Sequence, residues 1–134
     1  MAQFPSDAHL VSWAKISPRT VQSGPRSRGA KTGKGNSYLK RVHGEAAASV
    51  IGTDTFMGAR YRRLVKRMGK LKALVTIERS ILVIVWHLLN DPGARFIALG
   101  ADFYERRIDK ERKTRDLVRQ PTALGHQVTL GPAA

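Results

Sequence analysis

The sequence has no cysteine, which excludes a disulfide framework and a cysteine-built zinc site and fits a reducing compartment. Acids are scarce as well. The ten Asp and Glu residues are scattered singly, and no pair stands out as a two-metal carboxylate cluster. The four histidines, His9, His43, His87 and His126, are too far apart in sequence for a helix-spaced metal pair. The longest apolar run, Ile81 to Trp86 carried past His87 to Leu89, is far short of the ~20 residues that span a bilayer, so no membrane partner is expected. The opening MAQFPSDAHL lacks the basic and apolar regions of a signal peptide. No repeat of solenoid period is present.

What the chain does have is positive charge. Against ten acids stand 24 Lys and Arg residues, for a formal charge of +14 and a pI near 11.1. The natural partner of such a chain is a polyanion, with nucleic acid the first candidate. The 134 residues suit one domain, 1–134, with one modest core.

The cations fall into three groups, Arg26 to Arg41, Arg60 to Lys72 and Arg106 to Arg119. Acids interleave in the third, which reads as a solvated face. The first two contain no acid, with only Glu45 and Asp54 lying between them, and self-repulsion of that size points to a phosphate partner. Candidate phosphate contacts are therefore Arg26, Arg28, Lys31, Lys34, Lys40 and Arg41, then Arg60, Arg62, Arg63, Lys66 and Arg67.

The periodicity predicts a mainly α, small multi-helix domain. Ser6 or Asp7 can cap a helix running to about Ala14, ended by Pro18. Residues 20–35 then form a basic Gly-rich loop with no periodic pattern, whose glycines allow close backbone approach to a nucleic-acid strand. Asn36 caps a helix to about Val50 with Leu39, Val42, Ala46 and Val50 on its apolar face. The next, Asp54 to Met68, carries Met57, Tyr61, Leu64, Val65 and Met68 on one side and cations on the rest. The longest, Lys70 to Leu89, is the expected central core helix. Its β-branched stretch Ile81 to Val85 also permits a strand, but the periodic flanks favour helix. Asn90-Asp91-Pro92-Gly93 is a turn, and two short charged helical pieces follow over 102–107 and 109–119. The tail 121–134 is expected to be irregular, broken from the last helix by Pro121, with a short terminal strand over Gln127 to Leu130.

Chemistry is sparsely supplied. His87, among Trp86, Leu88 and Leu89, reads as a core or semi-buried histidine, and His43 as a partly exposed one that could reach a phosphate. Glu45 and Glu78 read as ordinary surface or paired charges. Ser23 is the one plausible nucleophile of the basic loop. By residue chemistry alone it is a turn serine, because no His/Asp arrangement beside it would activate the hydroxyl.

A family resemblance changes its standing. The blocks FPSDAHLVSWAKISP, QSG, RSRGAKTGKGNSYLKR and EAAAS, and later YRRL, SILVIVWHLL, ADFYERR and LGHQVTL, resemble the C-terminal domain of the insertion-sequence 110/116/902 transposases, relatives of the pilin-gene invertases. The resemblance implies DNA transposition and recombination in the bacterial or archaeal cytoplasm, at the nucleoid. It implies Ser23, followed by Gly24, as a nucleophile that links covalently to a DNA phosphate. Other implied partners are a structured bridge RNA as guide and further copies of the chain. No cofactor is expected in this chain; Mg2+ is implied in an acidic N-terminal domain that the sequence lacks, which makes the expected protein a truncated member, inactive alone. Two alternatives from other classes stand beside this reading: a non-catalytic basic module that binds RNA or DNA, and a decayed relic. Three residues depart from the family pattern: Lys15 where a glycine usually ends the first helix, Gly44 in place of an apolar residue, and Pro121 inside the last helix.

Overall fold

The structure, a computed structural model, describes residues 2–17, 20–23, 25–29 and 32–131, and of 20–23 and 26–29 only the backbone. The chain divides into two compact units, Met1–Ala101 and Asp102–Ala134. Helices dominate both, as the periodicity predicts.

In the first unit α1 (Asp7–Trp13) is capped by Ser6, whose hydroxyl accepts from the His9 amide. Its end is a full Schellman closure: Ile16 N–H bonds the Val11 carbonyl and Lys15 N–H that of Ser12. The position that closure reserves for glycine is held by Lys15 at φ +56, so the departure noticed in the sequence is a real left-handed residue. Pro18, expected to stop this helix, lies outside the described residues. Next comes an antiparallel hairpin, β1 (Thr20–Ser23) and β2 (Arg26–Gly29), with Thr20 opposite Gly29 and Ser23 opposite Arg26. Part of the expected patternless loop is thus a ribbon, and among its described residues 32–35 are irregular, continuing to Asn36.

Helix α2 (Ser37–Val50) starts at Asn36, whose side chain accepts from the Leu39 amide. Of its expected apolar face Leu39 and Val50 pack against the core and Val42 does not. Val42 is 57% exposed, while His43 and Ala47 are buried, continuing from half-buried Leu39 at i+4 steps. Helix α3 (Phe56–Met68) is capped by Thr55 and meets α4 (Lys70–Asn90) through the single residue Gly69 at φ +84, a conformation that suits glycine.

Helix α4 organises the unit and packs against α1, α2 and α3. One cluster joins its Leu82 and Trp86 to Leu10, Val11, Ala14 and Ile16; another joins its Ala73 and Ile77 to Ala47 of α2 and Tyr61 of α3. Burying such side chains is worth ~1.5–3 kcal/mol each for the large ones. Trp86 Nε1 also donates to the Phe4 carbonyl at 3.0 Å, tying the N-terminal segment to the helix. By length and composition α4 could cross a membrane, although its longest uninterrupted apolar run could not. A packed core helix meets the same test, and the residues that α4 buries in both clusters make it the core helix of this unit. His87, expected in the core, is exposed, with its ring edge-on to Trp86. The predicted turn forms: Asp91 Oδ1 accepts from the Gly93 amide.

In the second unit are α5 (Phe103–Arg106) and α6 (Lys110–Ala123). Pro121 does not break α6, because it lies one turn from the end, where its missing N–H costs one bond; the irregular tail starts after the helix rather than at 121. The terminal strand does not form. Residues 126–131 carry no regular structure, and a lone strand among the described residues has no ladder to join.

Candidate nucleic-acid interface

The hairpin sets the first group of candidate residues. Its register places Ser23 opposite Arg26 and Val21 opposite Arg28. In an antiparallel ribbon directly paired positions share a face, so positions 21, 23, 26 and 28 fall on one side. The candidate nucleophile is thereby grouped with two cationic positions by backbone geometry. Lys31 lies outside the described residues, and Lys34 is exposed on the segment leading into α2.

The glycines of that segment serve an unexpected purpose. A Cβ on Gly35, at φ +54, would stand 2.3 Å from the Ala14 carbonyl oxygen, and one on Gly33 would press on the Lys15 side chain. They let 33–35 lie directly over the end of α1. Close approach to another part of the same chain therefore accounts for both residues, where the composition suggests approach to phosphate.

Lys40 is also committed internally. Its Nζ donates to the Gly33 carbonyl and, at 3.4 Å, to Thr32 Oγ1. Near it lie two residues that the sequence marks as a partly exposed histidine and an ordinary surface or paired charge. His43 and Glu78 are each only 8% exposed, and His43 Nδ1 donates to the Leu39 carbonyl at 2.9 Å. Burial raises the Glu78 carboxyl above its ordinary value, against opposing pulls from Lys40 and His43. On α4, Glu78 follows Ile77 and precedes Leu82 by one turn, and on α2 His43 lies between Leu39 and Ala47. These side chains form a polar layer between the two apolar clusters. The i, i+4 spacing to apolar neighbours was the available sequence signal for both.

On α3 the cations separate by environment. Arg62 donates to the Thr53 carbonyl at 3.1 Å and lies 3.6 Å from Asp54, so it holds the α2–α3 turn. Arg60 is half-buried, with its Nε out of solvent. Arg63, Lys66 and Arg67 are exposed at i, i+3 and i+4, a continuous basic stripe. Arg41 is exposed and 3.7 Å from Glu45, one turn along α2. In the second unit, Arg106 pairs with Asp102 at 2.9 Å and Arg107 stacks over Phe103, in keeping with the internally balanced face expected there.

Among the described residues no group of three His, Asp or Glu side chains could hold a metal ion. The Mg2+ implied by the family resemblance is expected in the acidic domain, and the described residues of this chain offer it no ligand set.

Comparison with known proteins falls on the same region. No curated protein and no solved structure matches the chain. Residues 1–62, which include α1, the hairpin, α2 and the start of α3, match the model of the Transposase IS116/IS110/IS902 family, supporting that family and a general role in transposition or recombination.

Proposed function

We propose that this chain is the DNA-handling, C-terminal part of a transposase of that family, with Ser23 as its nucleophile. The observation that carries the reading is the family match over residues 1–62, which contains Ser23 and the hairpin that groups its position with Arg26 and Arg28. In this reaction the serine oxygen attacks a DNA phosphorus, a serine–phosphate bond forms, and the bond from phosphorus to one deoxyribose oxygen breaks. The serine proton passes to a base and the leaving oxygen takes a proton. Neither group is supplied beside Ser23 by the sequence, so a separate acidic domain provides activation. Arg26, Arg28, Lys31 and Lys34 screen the charge of the pentacoordinate phosphorus. A guide RNA, self-association and a place at the bacterial or archaeal nucleoid belong to the same reading.

Arg63, Lys66 and Arg67 supply the sequence-independent part of the grip. Binding to a 30-base-pair duplex should fall steeply with salt, and the Lys66→Ala/Arg67→Ala double variant should lower the log–log salt slope by about 1.8, near 0.9 for each lost phosphate contact. An unchanged slope removes α3 from the interface.

The second reading, a binding module without chemistry, rests on the exposed basic stripe of Arg63, Lys66 and Arg67, which needs no reacting group. Both readings give salt-sensitive binding. Only the first gives a covalent protein–DNA adduct that disappears in Ser23→Ala.

A further inference from the structure

We propose that Lys40 is a positioning residue, which clamps the segment between the hairpin and α2 from a polar layer completed by buried Glu78 and His43, and is not a phosphate contact. The placement rests on the reading of the hairpin as part of a DNA site; the clamp itself does not.

Three observations support it. Lys40 Nζ spends its hydrogen bonds on the Gly33 carbonyl and Thr32 hydroxyl, both inside the chain. The same segment is fixed from its other side, where the Gly35 backbone lies against the Ala14 carbonyl and Gly33 against the Lys15 stem. Finally, Glu78 reaches the layer from the central helix and is buried between the two cores, a costly location for a carboxyl that faces no cation. Lys40 and His43, both on α2, are the groups whose charge pulls against that burial. The ammonium thus ties the strand-to-helix connection to α2, within electrostatic reach of Glu78 on the central helix. Residues 32–36 receive a defined path into α2.

The two roles of Lys40 make opposite predictions. Trypsin cleavage after exposed Lys34, followed by mass spectrometry on the full chain, reads local opening of the clamped segment. Lys40→Met should speed that cleavage about tenfold, the loss expected for hydrogen bonds from a charged donor, and Lys40→Arg should restore much of the protection. Glu78→Gln is the sharper arm. It removes a negative charge and by electrostatics alone would strengthen DNA binding. A positioning role predicts faster cleavage after Lys34 and weaker binding at an unchanged salt slope. If Lys40→Met instead lowers the slope by about 0.9 and leaves cleavage at the wild-type rate, Lys40 contacts phosphate and the proposal is wrong. Should the chain bind no DNA at all, the cleavage rates still decide the clamp: acceleration in Lys40→Met and Glu78→Gln upholds it, and wild-type rates in both overturn it.

Discussion

At the scale of single residues, backbone conformation at the end of α1 explains more than side-chain chemistry does. Lys15 occupies a left-handed position that glycine fills without a Cβ penalty, and its stem lies against Gly33. Lys15→Gly should stabilise the protein by about 0.5–1 kcal/mol, the relief of the left-handed penalty less the added freedom of the unfolded chain. Urea denaturation measures this; a loss of stability would show that the stem contact outweighs the strain. Gly35→Ala should act the other way and cost at least about 2 kcal/mol, because the new methyl would collide with the Ala14 carbonyl at a positive φ. Gly44 is different: nothing lies within 4 Å of a Cβ there, so its departure from the family pattern is a matter of helix propensity. Gly44→Ala should add up to about 1 kcal/mol by the same measurement.

Secondary-structure elements show how much of this molecule was legible in its sequence. Helices α1 to α4 follow from Ser6, Asn36 and Gly69 at their ends and from apolar spacing between them. On α2 the departure from expectation centres on two residues, since Val42 looks like a core residue and His43 does not. Packing chose the row Leu39–His43–Ala47, whose polar member faces a carboxyl across the interface. Nor could the hairpin be read from composition. Glycine and arginine dilute its alternation, and its register is a matter of pairing rather than of local preference. Pro121 was overread, since a proline near the end of a helix removes a single bond.

The polar layer between α2 and α4 has a measurable signature. Because the folded-state pKa of Glu78 is raised, its protonated form is favoured by folding. Its contribution to stability is fully present below the unfolded carboxyl value of about 4.5 and is lost as pH rises through the folded value. Subtracting the Glu78→Gln stability curve from that of wild type cancels the other carboxyls. The variant should gain on wild type as pH rises from 4 toward 7, a flat difference would mean that Glu78 is fully compensated, and a difference of opposite sign would mean that Lys40 and His43 outweigh burial. A globally more stable Glu78→Gln protein with a looser 32–36 segment would show a carboxyl retained for local order and not for stability.

For the whole molecule, charge and family likeness point the same way while the catalytic groups do not close. A chain of +14 charge, with a basic stripe on α3 and two arginine positions beside Ser23 on a hairpin, is suited to a nucleic-acid backbone. Several cations that composition assigns to phosphate serve the fold: Lys40 clamps the connection to α2, Arg62 holds the α2–α3 turn, and Arg41 has Glu45 beside it. Composition counts charges and cannot tell which of them are spent internally. On the proposed reading Ser23 takes its base and acid from groups outside the hairpin, because the sequence places no His/Asp arrangement beside it.

The most direct test of that central claim is peptide mapping of the covalent product. The chain is mixed with the acidic domain of an intact family member, Mg2+ and a DNA substrate, and any protein–DNA adduct is digested and sequenced by mass spectrometry. The account predicts a nucleotide phosphate on Ser23 and none in Ser23→Ala. An adduct on another residue, or equal adduct in both proteins, would contradict it.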